Sequence, residues 1–434
     1  MSEAFPPSLW AAVAVPRAAA PALDAHITAD TVVIGAGFSG LSTALHLGRA
    51  GIKAVVLEAN QVGWGASGRN NGQVIPTMTA AEPAGMIKRW GEAGERFAHL
   101  VGGSASYLFD TLRAEGAMAE AEAEQTGWYQ PAHSPGRVKL SERRVKAWAD
   151  FGFPARLLDR AEGAALVGSD KWHGGMFNPT GGHVNPLGLA RGLARAAEAH
   201  GAVIHEGSPV TGWSRQGDDW VATTAHGSVR ARALVLATNA YTDHTTRSLA
   251  PKLAKTMVPV LSWQMATEPL GNNVRAKVLP GRQAVSDTRG NLFFFRYDAR
   301  GRMITGGASI LPWGAVKRVA EGQAARFADA FPEIGAPRMD YVWSGYVGMT
   351  WDRFPRVIRL GPNGWAWVGC NGRGVALSVS LGREMAAAIA GTPETELALP
   401  HSKPAPLPFH AIARRIAPGY LAWLKRADKK EPAQ

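Results

Sequence analysis

Cysteine is nearly missing from this chain: Cys370 is the only one in 434 residues. A single thiol excludes an internal disulfide and a cysteine-based zinc site, and it suits a reducing compartment, so a cytoplasmic protein is expected. Long apolar runs are missing too, so no transmembrane helix is expected. The opening MSEAFPPSLWAAVAVPRAAA lacks a basic region ahead of its apolar patch, and its prolines interrupt that patch. It therefore does not read as a signal peptide. No internal repeat stands out. The formal charge of +12 lacks a basic stripe. Its one concentration is Arg414, Arg415, Lys425, Arg426, Lys429 and Lys430, which reads as a solvated tail over 401–434. What the chain does have is an apolar fraction of 46% and 15 tryptophans, enough for large cores in two or three domains.

The most informative stretch is 30–73. Thr31-Val-Val-Ile34 is a β-branched run that predicts a buried parallel strand. Gly35-x-Gly37-x-x-Gly40 follows at once, then a helical apolar face through Leu41, Ala44, Leu45 and Leu47. A second strand, Ala54-Val-Val-Leu57, ends on Glu58, 18 residues past Gly40. Strand, glycine turn, helix, strand and terminal acid together are the dinucleotide fingerprint in its required context. Gly35 allows the tight turn, Gly37 lets backbone approach a pyrophosphate, and Gly40 lets helix sit on strand. The helix N-terminus offers N–H groups and positive dipole charge to phosphates. A carboxylate at Glu58 suits ribose hydroxyls and disfavours a 2′-phosphate.

Beyond it, residues 1–28 read as an extended arm, and 82–125 as mainly helical. The piece from Gly127 to Arg160 has no clear placement. Asn185-Pro186 suits an N-cap and first helical position, and Ala233–Ala237 reads as a further buried strand. From 251 the pattern changes to strands at Val258–Thr267, Arg282–Ser286, Leu292–Tyr297, Met303–Ala308 and Tyr341–Tyr346, with a helix over 315–330. Strands at that spacing imply a mostly antiparallel sheet. The dinucleotide pattern returns at Trp365–Gly369, with a helix starting near Gly374. The fold class expected is α/β: a Rossmann-type domain over 1–88, 174–250 and 345–400, interleaved with an antiparallel α+β substrate domain over 89–173 and 251–344.

The segments PSLWAA, VGWGASGRN, GGHVNP, ALVLATNAYT, WQMATEPL, WSGYVGMTWDRFP and GCNGRGVALSVSLG, in this order, carry a family resemblance. The chain resembles flavoproteins of the D-amino-acid oxidase superfamily, in the glycine oxidase and sarcosine oxidase branch, and is most similar to γ-glutamylputrescine oxidoreductase-like proteins. The resemblance implies FAD, held by Gly35, Gly37, Phe38, Ser39 and Gly40, and by Glu58 and Ala59. It adds Gly65, Ala66, Ser67, Gly68, Arg69 and Asn70, then Thr238 and Asn239, then Gly372, Arg373, Gly374 and Val375. It also implies oxidation of a C–N bond in a small amine or amino-acid-like substrate, with O₂ or a respiratory carrier as electron acceptor. A helix N-terminus near Gly374 would stabilise negative charge gathering on a reduced flavin.

Two departures from the family follow from the same alignment. Val347 stands where glycine oxidase-like members carry a carboxylate-binding arginine and sarcosine oxidase-like members a flavin-linking cysteine. FAD is thus expected to be non-covalent, and a simple α-amino acid disfavoured. Arg373-Gly-Val-Ala-Leu377 lacks the lysine that sarcosine oxidases place in that stretch, and Ile304 likewise falls about where those enzymes keep a lysine that helps oxygen react, which leaves the acceptor open. Arg69, Arg296 and Arg373 are then candidate anchors for a distal anion, with Trp128, Tyr129, Trp263 and Trp351 as pocket walls. His183 is given a structural role and Cys370 a packing role. Oxidation of a tRNA-attached amine is an alternative that a pI near 10.0 would suit, but without a basic stripe nucleic acid is not the expected partner. A simple glycine, sarcosine or D-amino acid oxidase is another.

Overall fold

The β-branched run at 31–34 is the buried end of a strand, His26–Ile34, in a computed structural model that describes residues 3–309 and 313–416, with 419, 426 and 428. Ala54–Leu57 pairs with it in parallel on one side and Ser228–Leu236 on the other. The sheet continues in the order Val203–His205, Ala54–Leu57, His26–Ile34, Ser228–Leu236, Gly364–Val368, Arg356–Gly361, His401–Ser402. Its first five strands are parallel, and an antiparallel pair, Gly212–Gln216 and Asp219–Thr223, hangs on Ser228–Leu236. The order reverses at the first strand, so the glycine turn sits at the switch point where open α/β sheets bind ligands.

Helices Phe38–Arg49, Pro186–Ala199 and Gly374–Ile389 share one core with the last turns of Glu92–Ala114. Small residues bring the first and third close. A Cβ on Gly382 would lie 2.6 Å from Ser42 Cβ, and Ser42 Oγ donates to Val379 O at 2.7 Å. Asn185 caps the second helix by accepting from Gly188 N–H at 3.1 Å, with Pro186 in its first turn.

The second sheet runs Met339–Met349, Val258–Pro269, Arg302–Gly307, Phe294–Tyr297, Ala284–Ser286, Trp128–Pro131, Gly175–Asn178, Arg156–Leu158. It is antiparallel except where Ala284–Ser286 meets Trp128–Pro131. Helix Ala315–Ala330 presses Phe327 onto Phe293 and Phe295 behind it.

Three expectations change. The segment 1–28 is not simply extended: Ser8 caps a helix, Leu9–Val13, whose Leu9 and Trp10 are fully buried. The divisions at 174 and 345 fall inside the second sheet, because Gly175–Asn178 and all of Met339–Met349 pair there. The last turns of Glu92–Ala114 pack on the nucleotide-fold helices, not in a separate substrate domain. The unplaced 127–160 supplies a strand, a helix (Val138–Asp150) and a second strand, Arg156–Leu158. In the tail Arg414 and Arg415 are exposed on a helical turn, while Lys425, Lys429 and Lys430 lie outside the described residues. No helix among the described residues is long and apolar enough to cross a membrane.

Candidate functional site

Gly35 takes φ +106°, a conformation side chains rarely adopt, and its N–H donates to Leu57 O at 2.8 Å. A Cβ on Gly40 would lie 2.0 Å from Gly35 O, so only glycine lets this helix sit so close to the strand. A Cβ on Gly37 would come 2.8 Å from Ser67 Oγ, which accepts from Phe38 N–H at 3.0 Å. The remaining first-turn N–H groups have no intrahelical acceptor, and Ser39 among them lines a cavity of about 350 Å³.

Glu58 closes one end of that cavity. Its Oε2 accepts from Ala36 N–H at 2.7 Å and its Oε1 from Asn60 N–H at 3.0 Å. Burial pushes the carboxyl up from its ordinary value, and the Asn60 and Ala36 donors pull it back. With both oxygens braced, Glu58 is placed to accept from ribose hydroxyls. Glu58→Ala should weaken cofactor binding by about 1.5–3 kcal/mol, the worth of hydrogen bonds to a charged group. Titrating apoprotein with FAD measures this; kcat at saturating FAD should be unchanged.

At the other end the cavity passes between the Gly374–Ile389 N-terminus and the second sheet. Gln73, Ser262, Gln264, Ser286, Phe294, Tyr346 and Val347 line it there. Alternation along Val258–Pro269 turns Ser262 and Gln264 inward, so Trp263 between them is not among the lining residues. Tyr241 OH accepts from Tyr346 N–H at 3.1 Å, and Arg69 stacks on Trp64 with its Cζ 4.1 Å from the ring centre.

Most of the residues expected around FAD meet in this cavity. Gly35, Gly37, Phe38, Ser39, Glu58, Ala59, the 65–67 turn, Arg69, Asn70, Thr238, Asn239 and 372–375 all line it. Gly40 and Gly68 do not; they are packing glycines, a Cβ on Gly68 falling 2.3 Å from Gly63 O. Among the arginines, Arg69 and Arg373 line the cavity. Arg373 is 6% exposed and lies 5.1 Å over the Trp128 ring. Burial, with Arg144 adding repulsion and Glu82 opposing it, lowers its guanidinium to about 9, the mark of a buried cation short of an anion.

Arg296 is a correction. It is 2% exposed and outside the cavity, and its guanidinium is spent on Asn71 O, Tyr297 O and Val184 O. Trp351 is another: at 85% exposure on the turn after Met339–Met349, it is not among the lining residues. Trp128 and Tyr129 are fully buried, and Trp128 acts through its N–H to Ser286 Oγ at 2.8 Å. Ile304 packs in the apolar cluster with Trp10 and Trp343, away from the cavity, so its identity says nothing about oxygen. His183 is buried, with Nε2 2.9 Å from Arg282 O, and burial holds it neutral. Sequence reading missed Gln73, Ser262, Gln264 and Ser286; the period-two pairing of Ser262 with Gln264 was the available signal.

The cavity suits an adenine–flavin dinucleotide on two grounds. Its glycine turns leave a cradle that a Cβ would fill at Gly37. Four buried polar atoms on lining residues have no hydrogen-bond partner in the protein: Asn60 Nδ2, Arg69 Nη2, Thr79 Oγ1 and Gln264 Oε1. Buried polar groups are normally satisfied, so these orphans mark where a ligand or ordered water completes them. No cluster of His, Cys, Asp and Glu able to hold a metal occurs among the described residues.

Known proteins agree. A family model described as "FAD dependent oxidoreductase" matches residues 30–388. "Probable oxidoreductase OrdL" of Haemophilus influenzae is 32% identical over 375 residues, covering 84% of each chain. "Gamma-glutamylputrescine oxidoreductase" of Escherichia coli is 30% identical over 403 residues, covering 89% of each. The solved L-proline dehydrogenase of P. horikoshii shares the fold at TM-score 0.70 and 20% identity, over 84% of this chain and 94% of that one.

Proposed function

The chain belongs to the FAD-dependent oxidoreductase family, and we propose that it oxidises a C–N bond in a small amine bearing an anionic group away from the reacting carbon. The observation that carries this is the set of ionisable side chains on the cavity wall: Glu58, Arg69, Tyr241, Tyr346, Cys370 and Arg373. Among the described residues that line it, beyond Glu58 at the ribose end, there is no carboxylate, imidazole or ammonium to serve as base or nucleophile. Removing hydride from the carbon beside a neutral amine needs none, because the nitrogen lone pair drives the step. When bound, FAD supplies the two-electron acceptor, and the imine product hydrolyses in water.

The protein's part is to orient the substrate at near-attack distance in a dry pocket. Arg69 and Arg373 serve as anion anchors, since guanidinium matches carboxylate or phosphonate in two parallel hydrogen bonds. An ω-carboxylate, a γ-glutamyl group or a phosphonate would fit, and the E. coli relative is named for a γ-glutamyl amine. Val347 lines the cavity and can neither clamp a carboxylate nor link flavin, which supports non-covalent FAD and argues against simple α-amino acids. We place the protein in the cytoplasm, with O₂ or a respiratory carrier accepting the electrons. Arg69→Lys or Arg373→Lys should raise KM for an anionic amine about tenfold and leave KM for its uncharged analogue within about twofold, since lysine cannot form the fork. Equal changes for both substrates would count against the anchors.

A further inference from the structure

Three long side chains from distant parts of the chain converge on three consecutive carbonyls of the loop that carries Arg69 into the cavity. Trp343 Nε1 donates to Arg69 O, Trp10 Nε1 to Asn70 O and Arg296 Nε to Asn71 O, each at 2.8 Å. The donors also hold one another: Trp10 meets Trp343 edge-on at 5.9 Å, and Arg296 stacks over Trp10 at 4.8 Å. All three are 2% exposed or less.

Within the loop the other polar groups are turned inward. Asn70 Oδ1 accepts from Gly72 N–H and Asn71 Oδ1 from Gln73 N–H, both at 2.8 Å. Asn70 Nδ2 donates to Ser67 O at 2.8 Å, tying the loop to the turn that holds Phe38 N–H. Fixing three successive carbonyls fixes the peptide planes between them, and with those the direction in which the neighbouring side chains leave the backbone. The side chains so directed are Arg69, with an unpartnered Nη2, and Gln73, whose Nε2 bonds Val285 O at 2.8 Å at the cavity wall.

We propose that Trp10, Trp343 and Arg296 are positioning residues for Arg69, and that the N-terminal arm is thereby part of the active site's support. Trp10 is not among the lining residues and its indole N–H bonds the loop at Asn70 O, so its effect on substrate passes through the loop. The proposal rests on the reading of Arg69 as an anion anchor.

The test uses FAD-loaded Trp10→Phe, which keeps an aromatic ring against Arg296 and Trp343 and removes the N–H. Trp343→Phe serves as a second variant. Trp172→Phe is the control, because that buried indole N–H has no partner and lies in a different cluster. Hydrogen exchange read by mass spectrometry should quicken about tenfold over 69–73 in the first two and stay unchanged in the control. KM for a distal-anion amine should rise about three- to tenfold, as loss of one buried hydrogen bond allows. KM for the uncharged analogue, kcat and flavin content should hold within about twofold. Unchanged exchange over 69–73 overturns the proposal, as does a KM rise equal for charged and uncharged amines. Arg69→Lys measured alongside separates the two readings. If it shifts the anionic amine's KM and Trp10→Phe does not, positioning fails; if neither does, the anchor itself is wrong and the proposal falls with it.

Discussion

Gly37→Val purifies as a colourless protein. The first atom valine adds would already lie 2.8 Å from Ser67 Oγ, and two methyl groups extend beyond it into the turn that faces the cavity. Either Ser67 gives up Phe38 N–H or the turn opens; in both cases the cradle for the pyrophosphate is filled. An affinity loss of at least about a hundredfold, roughly 2.7 kcal/mol, is expected. Unchanged far-ultraviolet circular dichroism would separate this from misfolding. Yellow Gly37→Val protein with one flavin per chain would contradict the placement of the cofactor.

Arg296→Leu should cost stability first, and substrate affinity only through the loop that it braces at Asn71 O. The guanidinium is fully buried and satisfies three carbonyls, at Asn71, Tyr297 and Val184. Leucine would leave all three without a donor, and each buried unsatisfied acceptor costs about 1–3 kcal/mol. Some relaxation is shared, so a loss of about 3–5 kcal/mol is expected, seen as poor soluble yield and a thermal transition several degrees lower. A variant of normal stability would contradict the reading of this guanidinium as the donor to three buried carbonyls.

The contrast between Arg296 and Arg69 marks how far the sequence was legible. The glycine turn, Glu58 and the two helix starts were readable because their logic is local: strand, turn and cap lie within a few residues of one another. An arginine inside Leu-Phe-Phe-Phe-Arg-Tyr announces a buried cation that must be satisfied. Whether ligand or backbone satisfies it depends on Asn71 and Val184, which lie more than a hundred residues upstream. Trp351 failed for a related reason: an aromatic beside a family motif does not reveal that its turn points to solvent. The N-terminal arm looked extended because its partners, Asn70 and Trp343, come from elsewhere in the chain. Ser262 and Gln264 were within reach of the period-two pattern, which puts Trp263 between them on the opposite face. The domain divisions slipped because helix Glu92–Ala114 and strand Gly175–Asn178 join cores that sequence order does not separate.

The central claim is that this cavity holds FAD without a covalent link and uses it to oxidise an amine whose anionic end reaches Arg69 and Arg373. Anaerobic mixing of the FAD-loaded protein with a panel of amines, following loss of the oxidised flavin's visible absorbance, tests it most directly. Amines with a distal carboxylate, γ-glutamyl or phosphonate group should bleach the flavin fastest, and acid precipitation of the same protein should release the colour into the supernatant. Faster bleaching by glycine, sarcosine or D-alanine, or colour that stays with the pellet, would contradict it.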